Sequence, residues 1–154
     1  MKLGDSSKAA HSPDTFGVGS NVFFYGTLRS GQSNHRIVEG RAELLGEATY
    51  NQAVMYSLGA FPALCLIDEI TDMPIKGEVF RVTSEDLPQR LDYLEGYPSF
   101  YDRKEVSVLL QYKPTTAWVY YLRGKVLDEP VIKSGDWLNR GEAPYTRSDR
   151  HANT

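Results

Sequence analysis

Apolar residues recur at helical spacing in only one stretch of this chain, and that limits the folds open to it. Leu87, Leu91 and Leu94 predict the main helix, with Leu91 and Leu94 on its core face, and residues 34–39 predict at most a helical turn or short helix. Residue 83 or 84 is expected to cap this helix, with the acidic residues 85 and 86 in its first turn, and Gly96 is a natural stop. The remaining structure must therefore be built mainly from strands.

Short apolar, β-branched and aromatic runs lie on both sides of the predicted helix. Residues 21–25 lack polar alternation, which predicts a strand buried on both faces, whereas residues 75–82 alternate like a half-buried strand. Further strands are predicted over residues 43–48, 53–58, 61–66, 103–110 and 116–122. One helix among many short strands predicts an α+β domain around a small curled or closed sheet.

The 154 residues suit one compact domain with two polar ends. We expect a disordered leader over residues 1–20, a folded domain over residues 21–140 and a flexible tail over residues 141–154. No apolar run reaches the roughly 20 residues that span a bilayer, and the net charge of −3 argues against a nucleic-acid partner. Cys65 is the only cysteine, which fits a reducing compartment. These features predict a cytoplasmic protein that binds neither membrane nor nucleic acid.

The first candidate site is the segment Tyr25, Gly26, Thr27 and Leu28, which follows the first predicted strand. Backbone N–H groups at a glycine turn can converge on an anion, so the segment is a candidate carboxylate or oxyanion cradle. Alternatively, it is an ordinary turn from a strand into a loop. It is not a nucleotide phosphate loop, because the Gly-Lys-Ser/Thr ending is missing.

The second candidate is Glu95, which directly precedes Gly96 at the predicted helix end. The negative pole of the helix dipole and burial would both raise the pKa of its carboxyl, as a general base near neutral pH requires. Alternatively, Glu95 is a solvated surface residue. Tyr101 is placed to hydrogen-bond the Glu95 carboxylate, and Asp92 is expected to be exposed or to act as a cap.

Other catalytic chemistries have weaker sequence support. His35 is the only histidine between residues 21 and 140, no Gly-x-Ser-x-Gly elbow is present, and Cys65 lies in an apolar run typical of a core thiol. One histidine without clustered carboxylates is also a poor ligand set for a metal. We therefore predict no metal site.

Two motifs together resemble a known family. Residues 25–28 carry Tyr-Gly-Thr-Leu, and residues 91–103 carry Leu-Asp-x-Leu-Glu-Gly-x-Pro-x-x-Tyr-x-Arg. In this order and at this separation they resemble the gamma-glutamylcyclotransferase-like superfamily. Residues 25–35 and 77–82 are similar to its gamma-glutamylamine cyclotransferase branch, and residues 133–138 to small bacterial members. The resemblance implies a small mixed β-barrel with flanking short helices over residues 21–140.

The resemblance also implies a reaction and the residues that perform it. A small-molecule γ-glutamyl amine or γ-glutamyl amino acid would release 5-oxoproline without a cofactor, with Glu95 as acid and base. Substrate contacts are implied for Tyr25, Gly26, Thr27, Leu28 and Tyr101. Two alternatives stay open: a non-catalytic binding protein that keeps the fold and pocket, and acyl transfer or hydrolysis through Ser57 or Cys65. The sequence predicts no oligomeric state.

Overall fold

Residues 15–124 and 128–141 are described by a computed structural model. Most of the predicted leader and nearly all of the predicted tail lie outside these ranges. The described end of the leader packs on the domain: the Phe16 ring lies 5.3 Å from that of Trp118, and the Gly19 amide donates to the Val82 carbonyl at 2.8 Å. The packed part of the chain therefore begins before Asn21.

Five strands close into a barrel, and two others form a separate sheet. The strands are β1 (Asn21–Phe24), β2 (Ala42–Tyr50), β3 (Ala53–Ser57), β4 (Pro62–Leu66), β5 (Ile75–Val82), β6 (Asp102–Leu110) and β7 (Lys113–Tyr121). The barrel order is β1–β5–β2–β6–β7, and β3 pairs with β4. Because β1 runs antiparallel to β5 and parallel to β7, the barrel is mixed, which confirms the predicted fold class.

Helical structure in the described residues is limited to α1 (Leu87–Glu95) and two 3-10 turns, His35–Ile37 and Trp137–Asn139. No helix in this part of the chain is both long and apolar enough to cross a membrane. The helix begins later than predicted, because residues 83–86 form a turn in which Ser84 donates to the Asp86 carboxylate.

Alternating side chains of β1 divide the core in two. Phe23 belongs to a cluster with residues from all five barrel strands, which fills the barrel interior. Val22 and Phe24 face the other way, into a cluster beneath α1 that includes Leu87 and Leu91. This explains why a strand without polar alternation sits in the middle of the fold: it has a core on each face.

Leu94 departs from the prediction that it lies with Leu91 on the core face of the helix. Leu87 and Leu91 are fully buried, whereas Leu94 is 38% exposed. The last turn of α1 extends past the packed cluster, so Leu94 lines a cavity beside the barrel instead. That turn also carries Glu95, and the helix therefore delivers a carboxylate to the cavity wall.

Candidate active site

A cavity of about 610 Å³ lies between the loop after β1, the end of α1 and the start of β4. All six residues singled out from the sequence line it, namely Tyr25, Gly26, Thr27, Leu28, Glu95 and Tyr101. They come from two segments, residues 25–28 and 95–101, that are about seventy positions apart in the chain. Packing of α1 near the end of β1 brings the two segments together. The volume is within the range of small-molecule sites.

Backbone carbonyls in the loop after β1 are bound internally. The Gly26 carbonyl accepts from the Arg29 amide at 3.0 Å, and the Thr27 carbonyl accepts from the Asn34 amide at 2.9 Å. The Asn34 side chain also donates to the Thr27 hydroxyl at 2.8 Å, and His35 Nδ1 lies 2.9 Å from the Leu28 carbonyl oxygen. His35 thus fastens the loop.

The amides of the same loop are left without acceptors. Those of Gly26, Thr27 and Leu28 donate to no group in the part of the chain that the structure describes. The next amide, that of Arg29, is used within the loop by the Gly26 carbonyl, whereas the three residues with unpaired amides all line the cavity. Three successive unpaired donors on a cavity wall form an anion-binding arrangement.

Gly26 is required here for a reason that the sequence did not reveal. A Cβ atom on Gly26 would lie 2.7 Å from Cγ of Pro62, so glycine allows β4 to pack directly against the loop. The Tyr101 hydroxyl donates to the Pro62 carbonyl at 2.8 Å and holds the start of the same strand. The predicted hydrogen bond from Tyr101 to Glu95 is therefore wrong, because the hydroxyl is used to fix the cavity wall.

Glu95 is the last residue of α1, and Gly96 ends the helix with φ +67°. Its carboxylate has no hydrogen-bond partner within residues 15–124 and 128–141. The residue keeps some accessible surface because it lines the cavity, yet burial raises the pKa of its carboxyl from 4.5 to about 8. This is the environment of a carboxylate that can take up a proton near neutral pH.

Three tyrosine hydroxyls close to Glu95 are all committed to other acceptors. Tyr25 donates to the Tyr120 carbonyl at 2.7 Å, Tyr101 to the Pro62 carbonyl, and Tyr120 to Asp92 Oδ1 at 2.6 Å. The Glu95 charge raises the pKa of each hydroxyl, after burial as the main cause. Because none of them donates to Glu95, no hydrogen bond from residues 15–124 or 128–141 offsets the desolvation of its carboxylate.

Asp92 is neither exposed nor a cap, which corrects the sequence interpretation. Besides the Tyr120 hydroxyl, it accepts hydrogen bonds from Arg103 at 3.0 and 3.3 Å. The Arg103 guanidinium lies 4.2 Å from the Tyr97 ring centroid and 5.1 Å from that of Trp118. The aspartate of the Leu-Asp-x-Leu-Glu motif therefore ties α1 to the barrel, one turn before Glu95.

Several lining residues escaped the sequence analysis. Tyr120, Asn34 and Phe100 line the cavity, and only Asn34 had a signal, through its place in the loop motif. At the start of β4, Ala60, Phe61 and Pro62 line the cavity, whereas residues 56–59 do not.

The alternative nucleophiles lie away from the cavity wall. Ser57 is 4% exposed, and its hydroxyl accepts from the Gly59 amide at 3.2 Å. Cys65 is buried in β4. Among the described residues, no three His, Cys, Asp or Glu side chains are grouped so that they could hold a metal ion.

Comparison with known proteins yields a consistent set of relatives. The family model described as "Gamma-glutamyl cyclotransferase, AIG2-like" matches residues 22–139. A Vibrio cholerae protein named "Putative gamma-glutamylcyclotransferase" is 37% identical over 120 residues, which cover 77% of this chain and 96% of that protein.

Solved structures with the same architecture include two from microbial proteins. The solution structure of Escherichia coli ytfP is 29% identical, with a TM-score of 0.56 over 79% of this chain and 99% of that one. The crystal structure of PH0828 from Pyrococcus horikoshii has a TM-score of 0.58 at 24% identity, covering 77% of this chain and 89% of that one. The second likeness bears on the fold alone.

Proposed function

Since the chain belongs to the gamma-glutamyl cyclotransferase, AIG2-like family, we propose that it is an enzyme that releases 5-oxoproline from γ-glutamyl amines or γ-glutamyl amino acids. One observation carries the proposal. A carboxyl with no partner among the described residues and a pKa near 8 opens into the same cavity as three unpaired backbone amides.

The substrate supplies its own nucleophile. Its α-amine is protonated at neutral pH, so Glu95 first removes a proton from the ammonium group. The amine nitrogen then attacks the γ-carbonyl carbon and forms the new C–N bond of a five-membered lactam. When the original C–N bond breaks, Glu95 returns the proton to the departing nitrogen. Glu95, ionised again, then takes the second proton from the new lactam nitrogen and passes it to the released amine, which leaves as an ammonium ion. General acid–base catalysis of this kind typically contributes about 10²–10⁴-fold in rate.

The loop amides provide the complementary interaction. The unpaired N–H groups of Gly26, Thr27 and Leu28 would bind the substrate carboxylate or the oxyanion that forms as the amine attacks. Because Asn34 and His35 hold the loop carbonyls, these donors are fixed before substrate arrives. Binding the glutamyl chain folded back on itself adds the proximity contribution.

No step of this reaction calls for a metal, a nucleotide or an organic cofactor. Cofactor independence, the cytoplasmic location and the lack of nucleic-acid and membrane partners stay predictions. The same holds for assignment to the gamma-glutamylamine branch of the family.

Replacing Glu95 by glutamine tests the proposal. Glu95→Gln keeps the size of the side chain but cannot move a proton, so we expect 5-oxoproline release to fall at least ~100-fold while the fold is retained. Glu105→Gln, at an exposed position of β6, is the matched control and should retain full activity.

Three results would contradict this function. Unchanged turnover by Glu95→Gln would remove the carboxylate from the mechanism. Stoichiometric binding of γ-glutamyl compounds by the wild type without turnover would favour a binding protein. A covalent adduct trapped on Ser57 or Cys65 would favour acyl transfer.

A further inference from the structure

Charge is distributed unequally over the cavity wall. Apart from the tyrosines, Glu95 is the only residue with an ionisable side chain among the described residues that line the cavity. Of the lining residues with unpaired amides, Gly26 and Leu28 are buried and Thr27 is half-buried. No arginine, lysine or histidine is among the described residues that line the cavity.

The mouth of the cavity is largely apolar. Ala60 is exposed, Leu94 is 38% exposed and Phe100 is 48% exposed, while Phe61 is half-buried. The Phe61 and Phe100 rings meet edge to face, with centroids 6.4 Å apart at 80°. Exposed apolar side chains gathered at the entrance of a site indicate an apolar ligand portion.

Arginines near the site are already paired and do not line the cavity. Arg103 binds Asp92, Arg29 binds Asp136 at 2.8 Å, and Arg123 binds both Asp102 and the Pro98 carbonyl. A substrate carboxylate at the mouth would therefore find no cation on the described wall. It would share an apolar cavity with the Glu95 carboxylate, which must be ionised when substrate binds.

We propose that the amine released by this enzyme carries a bulky apolar or aromatic substituent and no carboxylate, and that Phe61, Leu94 and Phe100 form its subsite. The inference rests on the proposed function. The glutamyl part must lie against the amides and Glu95, so the departing substituent extends toward the mouth. There an aromatic group packs against the Phe61 and Phe100 rings. A carboxylate in the same place would lose its hydration and be repelled by the Glu95 carboxylate.

The test uses two substrates that differ by one carboxylate. γ-Glutamylphenethylamine and γ-glutamylphenylalanine share the aromatic group, so a difference between them reports the carboxylate alone. We expect kcat/KM to be on the order of 10–100-fold higher for the phenethylamine compound. Equal kcat/KM values for the two would overturn the inference.

Variants at the mouth test the subsite directly. Phe100→Ala should lower kcat/KM for γ-glutamylphenethylamine by about 10-fold and leave γ-glutamylmethylamine within about 2-fold, since the methyl group does not reach the ring. Phe61→Ala should do the same. Phe100→Arg should shift the preference toward γ-glutamylphenylalanine by supplying the missing cation. Equal losses for both amines, or no shift with arginine, would contradict the assignment.

Failure of the proposed function gives a different result. If no γ-glutamyl compound in the series releases 5-oxoproline, the cyclotransferase proposal fails and this subsite falls with it. If γ-glutamylmethylamine and γ-glutamylphenylalanine are turned over as well as the phenethylamine compound, the enzyme stands and only the subsite assignment is wrong.

Discussion

The Glu95→Gln variant should be more stable than the wild type, and the difference should grow as the pH rises. Burial raises the pKa of the Glu95 carboxyl in the folded protein from 4.5 to about 8. At a pH between these two pKa values, Glu95 holds a proton in the folded protein but not in the unfolded chain. Stability therefore falls with increasing pH across this window, until the folded carboxyl is ionised as well. Glu95→Gln has no proton to lose and avoids this loss.

The size of the effect follows from the shift. Because one pKa unit corresponds to about 1.4 kcal/mol, the raised pKa of Glu95 should lower the free energy of unfolding of the wild type by ~1 kcal/mol at pH 5, ~3 kcal/mol at pH 7 and ~5 kcal/mol at pH 9, relative to a pH at which both states are protonated. These are upper limits, since water in the open cavity screens the charge. Half of each value would still give a clear trend.

Urea unfolding of both proteins at pH 5, 7 and 9 measures this difference. We expect the free energies of unfolding of Glu95→Gln and wild type to converge near pH 5 and to diverge above it, with the variant more stable. Glu105→Gln provides the control for a carboxylate exposed to water. A constant difference between Glu95→Gln and wild type at all three pH values would refute the assigned environment of Glu95, whatever its effect on turnover.

Three further predictions concern the pH profile, the base of α1 and the barrel. As Glu95 must be ionised to accept a proton, kcat/KM should rise about tenfold per pH unit up to a pKa near 8; a flat profile between pH 6 and 8 would contradict this. Asp92→Ala should lower the free energy of unfolding in urea by about 2–4 kcal/mol, because it leaves Arg103 and Tyr120 without their partner. The control Glu43→Ala, which removes an exposed ion pair, should lower it by under ~1 kcal/mol. Equal losses would argue against a structural role for Asp92. Gly77→Ala would place a Cβ atom 2.3 Å from the Phe24 carbonyl oxygen and should lower the free energy of unfolding by about 1–3 kcal/mol or more; a wild-type melting curve would contradict the close β1–β5 approach.

Local chemistry was sufficient to predict much of the fold. The buried character of β1, the alternation of β5 and the end of α1 at Gly96 follow from side-chain pattern and backbone preference, which act within a few residues. Predicted helix caps at residues 83 and 84 failed because Ser84 bonds to Asp86 in a turn before the helix, a local competition that propensity does not resolve.

The partners of the polar side chains could not be read in the same way. Asp92 and Tyr120 are 28 positions apart, and Tyr101 and Pro62 are 39 apart, yet each pair is joined by a hydrogen bond. Such pairings depend on where strands cross in space, and no residue in either segment indicates its distant partner. The sequence interpretation therefore assigned Asp92 to the surface and Tyr101 to Glu95, and both assignments were wrong.

By itself, the sequence determined the strands, the single helix, the family motifs and the two segments that line the cavity, because these depend on residue types and short spacings. Only the tertiary structure decided that Gly26 makes room for Pro62. It also decided that, within the part of the chain that the structure describes, Glu95 receives no hydrogen bond and the mouth of the cavity has no cation. Desolvation and close packing arise from atoms contributed by several distant segments, and those segments meet only when the barrel closes.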